Sequence, residues 1–495
     1  MTELKNFEFW FITGSQHLYG PETLKQVAGH SRRMVDELNR DSVIPYKIVY
    51  KPTVTTPEEI TKVLTEANAN DECAGVITWM HTFSPSKMWI AGLSQLNKPL
   101  LHLHTQFNRQ LPWNAIDMDF MNLNQSAHGD REHGFIGARL RMVRKVVAGY
   151  WEDGGVRERI GGWQRTAVAY ICGRRLKVIR FGDNMREVAV TEGDKVEAQI
   201  RLGWSVNTYG VGDLAAAVDK VSGEALDALV AEYGEKYDIA ADAQTGEKFE
   251  AIREQARLQL GIQAMLDDTG AGAFTTTFED LHGLRQLPGL AAQALMARGY
   301  GFGGEGDWKT SALTKVMKVM ADNRGTSFME DYTYHLVPGE EMILGAHMLE
   351  VCPTIAATKP RIEVHPLGIG GKADPARLVF DGAAGHAVCA SLIDMGGRMR
   401  LIIAEVEAVQ PAAAMPELPV ARILWKPEPS FETGTEAWIY AGGAHHTVFS
   451  TAVTPEQLID WADMAGIEYV LINRDTTIPG LRSELRWNDM AWKLK

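Results

Sequence analysis

The chain has 495 residues, 45% hydrophobic, 23% charged and 8% aromatic, an ordinary globular composition but too long for a single hydrophobic core. A formal net charge of −13 argues against nucleic acid or an anionic membrane as the main partner. The N-terminus "MTELKNFEFW" lacks the pattern of a secretory signal, no apolar run approaches the roughly 18 residues of a spanning helix, and the four cysteines (Cys73, Cys172, Cys352, Cys389) form no CxxC pair, so a cytoplasmic protein with buried reduced thiols and no structural zinc is expected.

Residues 7–12, "FEFWFI", read as a strand running into "TGSQHLYG". Pro21 suits a first helical position, and Leu24, Val27, Ala28, Val35 and Leu38 recur at helical spacing after it. "YKIVYK" is the next strand, and Thr56-Pro57-Glu58-Glu59 caps a following helix. "AGVITWM" and "PLLHLH" are two more short strands with a helical stretch between them. Strands alternating with helices predict a parallel sheet covered on both faces, with ligands at the carboxyl ends of its strands. A second α/β region opens at "KVIRFG" and contains a helix over 246–267, the strand "AGAFTTT" and a helix near 290–298. From about Gly325 short apolar runs broken by Pro and Gly predict an antiparallel β region. The chain is expected to close on the helix "PEQLIDWADMAG" and the strand "IEYVLIN". The domain boundaries read as 1–176, 177–324 and 325–495.

"GFGGEG", 301–306, matches the dinucleotide fingerprint in letters. That fingerprint needs a strand before it; what precedes reads as a helix, so the strand is expected to be missing and nucleotide binding is set aside. Asp307 caps the helix that follows, and Glu305 stands just before it, where exposed N–H groups and the helix dipole favour a carboxylate. A second acid, Glu330, shares one strand face with Phe328, Tyr332 and Tyr334. If 337–340 closes a hairpin, Glu330 faces His347 directly, and an acid and an imidazole at that distance can share a metal or simply form an ion pair. In "AGGAHHTVFS" successive strand side chains alternate, so at most one of His445 and His446 is expected at any one site. Two glutamates with one or two histidines make an oxygen-rich set that suits Mn²⁺ or Mg²⁺ better than zinc or copper.

Several long stretches are more specific than any of these patterns. "WFITGSQHLYGPETL", "HTFSPSKMWIAGL", "IDMDFMNLNQSAHGDRE", "FTTTFEDLHGLRQLPGLA", "GEGDWKTSAL", "GTSFMEDYTYHL", "GAHMLEVCP" and "EAWIYAGGAHHTVFS" together resemble the L-arabinose isomerase family, over about residues 7–490. "AYICGRRLKVIRFG" and "VEAVQPAAAMPELP" depart from the family wording and touch no expected ligand. The resemblance implies two α/β, Rossmann-like domains followed by a β-rich, barrel-like C-terminal domain, an architecture similar to that of L-fucose isomerase. It implies Glu305, Glu330, His347 and His446 as ligands of one Mn²⁺ per subunit, with Co²⁺ or Mg²⁺ as substitutes, and leaves His445 as an outward or packing partner. It further implies a homo-oligomer, hexamer or tetramer, in which Gln16, Leu18, Tyr19, Phe83, Gln125 and His128 reach the sugar of a neighbouring subunit. Met185, Phe278 and Ile369 then line the pocket within the same chain. His30, His133, His335 and His386 are read as structural.

The implied reaction is an aldose–ketose interconversion of L-arabinose and L-ribulose, with slower conversion of D-galactose to D-tagatose. Moving hydrogen between C2 and C1 needs a base and stabilised enediolate oxygens. Glu305 and Glu330 are the expected acid–base pair, working through a cis-enediol; which one takes the C2 proton stays open. A dehydrogenase using "GFGGEG" and a non-catalytic sugar receptor are the rival classes.

Overall fold

A computed structural model describes residues 6–493, and its compact units number two, one ending at Ile171 and one beginning at Cys172. In the first, β1 (Glu8–Gly14), β2 (Lys47–Tyr50), β3 (Cys73–Met80), β4 (Leu100–His104) and β5 (Lys145–Ala148) form a parallel sheet in the order β2-β1-β3-β4-β5. β3 is buried along its whole length, which is why its sequence is continuously apolar rather than alternating. The helix Gly20–Leu38 follows β1, and Thr56 caps Pro57–Ala69 by accepting from the Glu59 amide, as the sequence predicts. The helix before β4 is a short Ile90–Gln95.

The second unit contains β6 (Lys177–Phe181), β7 (Ser205–Tyr209), β8 (Asp238–Ile239), β9 (Ala273–Thr276) and β10 (Gly301–Gly303). Four of these make a parallel sheet in the order β10-β9-β6-β7, a second Rossmann-like layer. Here one expectation fails. The strand said to be missing from the glycine motif is the motif's own Gly-Phe-Gly, paired in parallel with β9. Three residues, two of them glycine, carry no strand periodicity for a sequence reading to find.

There follow β11 (Thr326–His335), β12 (Met342–Ala346), β13 (Arg361–Val364), β14 (Ala376–Val379), β15 (Gly385–Asp394), β16 (Met399–Val409), β17 (Arg422–Pro427), β18 (His446–Ser450) and β19 (Glu468–Ile472). β8, β13 and β14 form a small sheet of their own. The rest run in the order β15-β18-β11-β12-β17-β16-β19, and β15 also pairs with β16, so six strands close a circuit of antiparallel pairing. This is the β-rich region expected from Gly325 onward. β19 joins it in parallel on β16, and the chain does not stop there: a helix, Ile478–Lys493, follows. Cys172 is only half-buried, whereas the other three free thiols are buried as expected. No helix among the described residues is long and apolar enough to cross a membrane.

Alternation along β11 positions the site. Phe328 packs with Phe302 and Phe274 of the parallel-sheet core, whereas Met329 packs inside the strand circuit with Phe449 and Trp425. Glu330 therefore leaves β11 on the side of Phe328.

Candidate metal centre

Three elements converge on one point. After β10 the chain turns through Gly304, Glu305 and Gly306 before Asp307 caps the helix Trp308–Met320. Glu305 has φ +58°, a left-handed conformation unusual for a non-glycine residue and often found at functional sites. Its carbonyl accepts from the Met185 amide at 3.0 Å, which ties that residue to the same turn. At Gly304 a Cβ would stand 3.0 Å from Nε2 of His347, so glycine is what lets that imidazole approach.

His347 follows β12 and His446 opens β18. One ligand atom from each of Glu305, His347 and His446 lies within 4.8 Å of the others. His446 is completely buried; its Nδ1 lies 3.1 Å from Asp307 Oδ2, and its Nε2 is 3.7 Å from Glu305 and has no hydrogen-bond partner. His347 is held in the same way, Nδ1 on Glu350 Oε2 at 2.5 Å and Nε2 turned to the cluster, 4.0 Å from Glu330. A carboxylate behind each imidazole fixes the tautomer that frees Nε2 for a cation, the usual outer support of a metal-binding histidine. A buried imidazole nitrogen without a partner, beside two carboxylates, fits a divalent cation of mixed oxygen and nitrogen preference.

The charged groups of the cluster shift one another. Burial would push the Glu305 carboxyl up, but the hydrogen bond from His445 and the charges of His446 and His347 bring it below its ordinary value. Burial likewise opposes Asp307, and Lys309 and His446 overcome it, holding that carboxyl well below the carboxylate range. For His347 burial lowers the pKa, yet Glu350, Glu330 and Glu305 together raise it.

Two readings need correction. The hairpin exists, closed by a Val337–Glu340 turn with Gly339 at φ +84°, and its outer pairs follow the expected register, Tyr334 opposite Ile343. Between Asp331 and Thr333 the register shifts, so Glu330 faces Ala346 on β12 and His446 on β18, rather than His347. The bulge also breaks the supposed single face: Tyr332 and Tyr334 are exposed and do not continue the row of Phe328 and Glu330. Second, His445 is no outward partner. It lies before β18 starts, so strand alternation does not govern it, and its Nε2 is 3.4 Å from Glu305. Asp307, read only as a cap, and Glu350, not singled out, are the other residues missed. An acid three residues after a histidine was the available signal for Glu350.

The remaining candidates fall on both units. Tyr19 accepts from Gln125 Nε2 at 3.2 Å, and the Phe83 and His128 rings are 4.5 Å apart, so these four sit at the carboxyl-end loops of the first sheet. Gln16 precedes the short turn His17–Tyr19, on which Leu18 is 83% exposed. In the second unit Phe278 is half-buried against the parallel-sheet core, and Ile369 is exposed. Of the histidines read as structural, His133 is buried and bonds Thr78, and His30 bonds His81.

Family models for the L-arabinose isomerase N-terminal, central and C-terminal domains match residues 3–174, 177–323 and 325–468. The chain is 68% identical to the L-arabinose isomerase of Geobacillus thermodenitrificans over 494 residues, with 100% of both chains covered. The chain belongs to the L-arabinose isomerase family. L-arabinose isomerase 1 of Bacillus licheniformis is 62% identical over all of both chains. The L-arabinose isomerase of Thermotoga petrophila is 60% identical over 100% of this chain and 99% of its own.

Proposed function

We propose that the Glu305–His347–His446 cluster, with Glu330 beside it, is the catalytic centre of an aldose–ketose isomerase. The family assignment makes the reaction the interconversion of L-arabinose and L-ribulose. The observation that carries the reading is the buried, unpartnered Nε2 of His446, 3.7 Å from Glu305 in a cluster that also contains His347.

Glu305, Glu330, His347 and His446 would hold one divalent cation, Mn²⁺ with Co²⁺ or Mg²⁺ as substitutes; when bound it supplies Lewis-acid polarisation of the sugar oxygens. The two glutamates move the protons, one taking hydrogen from C2 and returning it at C1 while the other serves O1 and O2. Asp307 and Glu350 keep both imidazoles in one tautomer, and Phe328, 4.9 and 5.2 Å from their ring centres, keeps water from their faces. The intermediate is the cis-enediol of the open-chain sugar.

Gln16, Leu18, Tyr19, Phe83, Gln125 and His128 are proposed to contact sugar bound to an adjacent subunit of a hexamer or tetramer, and Met185, Phe278 and Ile369 to line the pocket of their own chain. The six-strand circuit supports a barrel-like C-terminal domain and a fucose-isomerase-like architecture of three domains, 1–176, 177–324 and 325–495. A cytoplasmic location and slower conversion of D-galactose to D-tagatose belong to the same reading. The test is ketose formation from L-arabinose: chelation should abolish it and Mn²⁺ restore it. Full activity after exhaustive removal of metal overturns the proposal.

A further inference from the structure

The strand circuit is hollow. A cavity of about 320 Å³ opens on the face of β11 opposite Glu330, and all six strands of the circuit and the helix Phe431–Ala441 contribute to its wall. That volume lies at the lower end of small-molecule sites, and small closed strand circuits hold single ligands in just this way. Three walls are aromatic: Tyr334, Trp425 and Trp438. Two of the rings are fixed by glycines, since a Cβ on Gly345 would stand 1.9 Å from Trp425 and one on Gly443 2.3 Å from Trp438.

The polar groups of the wall are unevenly satisfied. Thr447 donates to Ala390, Thr435 to Phe431, and Trp438 Nε1 to Ala444. Asp331 is the one acid on the wall among the described residues, and its Oδ1 is buried with no donor. A buried carboxyl oxygen lacking a donor, in a box of aromatic faces, is the recognition chemistry of an organic ammonium ion. A polyol would leave most of its hydroxyls unpaired there, and a hard metal ion would lack its oxygen ligands.

We propose that this cavity is a second ligand site, for a small primary ammonium compound with an apolar body, its ammonium on Asp331 Oδ1 and its body against the tryptophans. His445 belongs both to this wall and to the contact with Glu305, so occupancy is felt at the isomerase centre, a consequence that rests on the function proposed for Glu305.

Calorimetric titration of the Mn²⁺-loaded protein with phenethylamine, and with 2-phenylethanol as its uncharged counterpart, tests the site directly, whatever the isomerase activity. The amine is expected to bind at least tenfold more tightly than the alcohol. Asp331→Asn should erase that difference. Val406→Phe, which fills the cavity from β16, should block both ligands in a protein whose thermal unfolding shows it folded. Equal affinities, unaltered binding in both variants, absence of binding, or displacement of the amine by L-arabinose each overturns the proposal.

Discussion

Gly304 and Glu305 show how closely the backbone and the chemistry are matched at single positions. Gly304 has no conformational need to be glycine; it is small because His347 Nε2 occupies the space a methyl would take. Gly304→Ala is therefore expected to weaken Mn²⁺ binding at least tenfold while the protein stays folded, read by titration of the metal-free protein; unchanged affinity would show that the imidazole is not held for a cation. Glu305 stood out among glycines at a helix start, whereas the aromatic row that drew attention to Glu330 is not one strand face in the structure. The contact of Asp307 with His446 was not legible, because a helix cap leaves no mark of a second task in the sequence, and Glu350 left only its place three residues after His347. If Glu305 and Glu330 act as a unit, Glu305→Gln and Glu330→Gln should each lower kcat by several orders of magnitude. The double variant should then be scarcely worse than either single one. Additive losses would mean that the two carboxylates work independently.

At the scale of elements, the hairpin of β11 and β12, expected only if 337–340 turned, is present, and the register counted from that turn holds up to the bulge. A bulge is one extra residue with no composition of its own, so counting from the turn overshoots by one position beyond it. Its effect is to bring Asp331 and Tyr334, three apart, to the same cavity wall while Glu330 stays on the other side. Tyr332 is the residue left unpaired, and it is exposed. Deleting Tyr332 should leave every observed pair in place, with Asp331 opposite Gly345 followed directly by Thr333 opposite Leu344. The deletion protein is expected to retain ketose formation within about threefold, a cost below 1 kcal/mol in the barrier. Collapse of activity together with metal affinity would mean that the bulge itself aims Glu330. β10 was hidden for a different reason, since a three-residue edge strand made of Gly-Phe-Gly owes its existence to pairing with β9 and not to its own propensity.

For the whole molecule, the alternation of apolar strands with amphipathic helices made both parallel sheets legible, whereas the division into compact units depends on long-range packing that no local pattern records. That division separates two influences on stability. All three clustered side chains lie in the unit that begins at Cys172, so metal bound there at a hundredfold its Kd should raise that unit's unfolding free energy by about 2.7 kcal/mol. The unit ending at Ile171 has buried histidines of its own, away from the cluster. Burial, reinforced by His30, lowers the His81 pKa to about 3, and burial with His102 and Arg144 nearby lowers that of His133 well below its ordinary value. Both are neutral when folded and take up a proton near pH 6.5 when unfolded, so stability is complete above that pH and is lost as the pH falls below it. At pH 5 the cost for His81 is about 2 kcal/mol. His104 works the other way, raised by its hydrogen bond to Asp130, but it is partly exposed and offsets little. Calorimetry of the metal-free and Mn²⁺-loaded protein should thus resolve two transitions. Mn²⁺ should shift one upward, and acidification from pH 7 to 5 should lower the other by on the order of 10 °C. His81→Gln should flatten the pH dependence of the second transition and leave the response of the first to Mn²⁺ intact. A single transition that moves equally with metal and with acid would mean that the two units do not unfold separately, and the assignment of each effect to its own unit would fall.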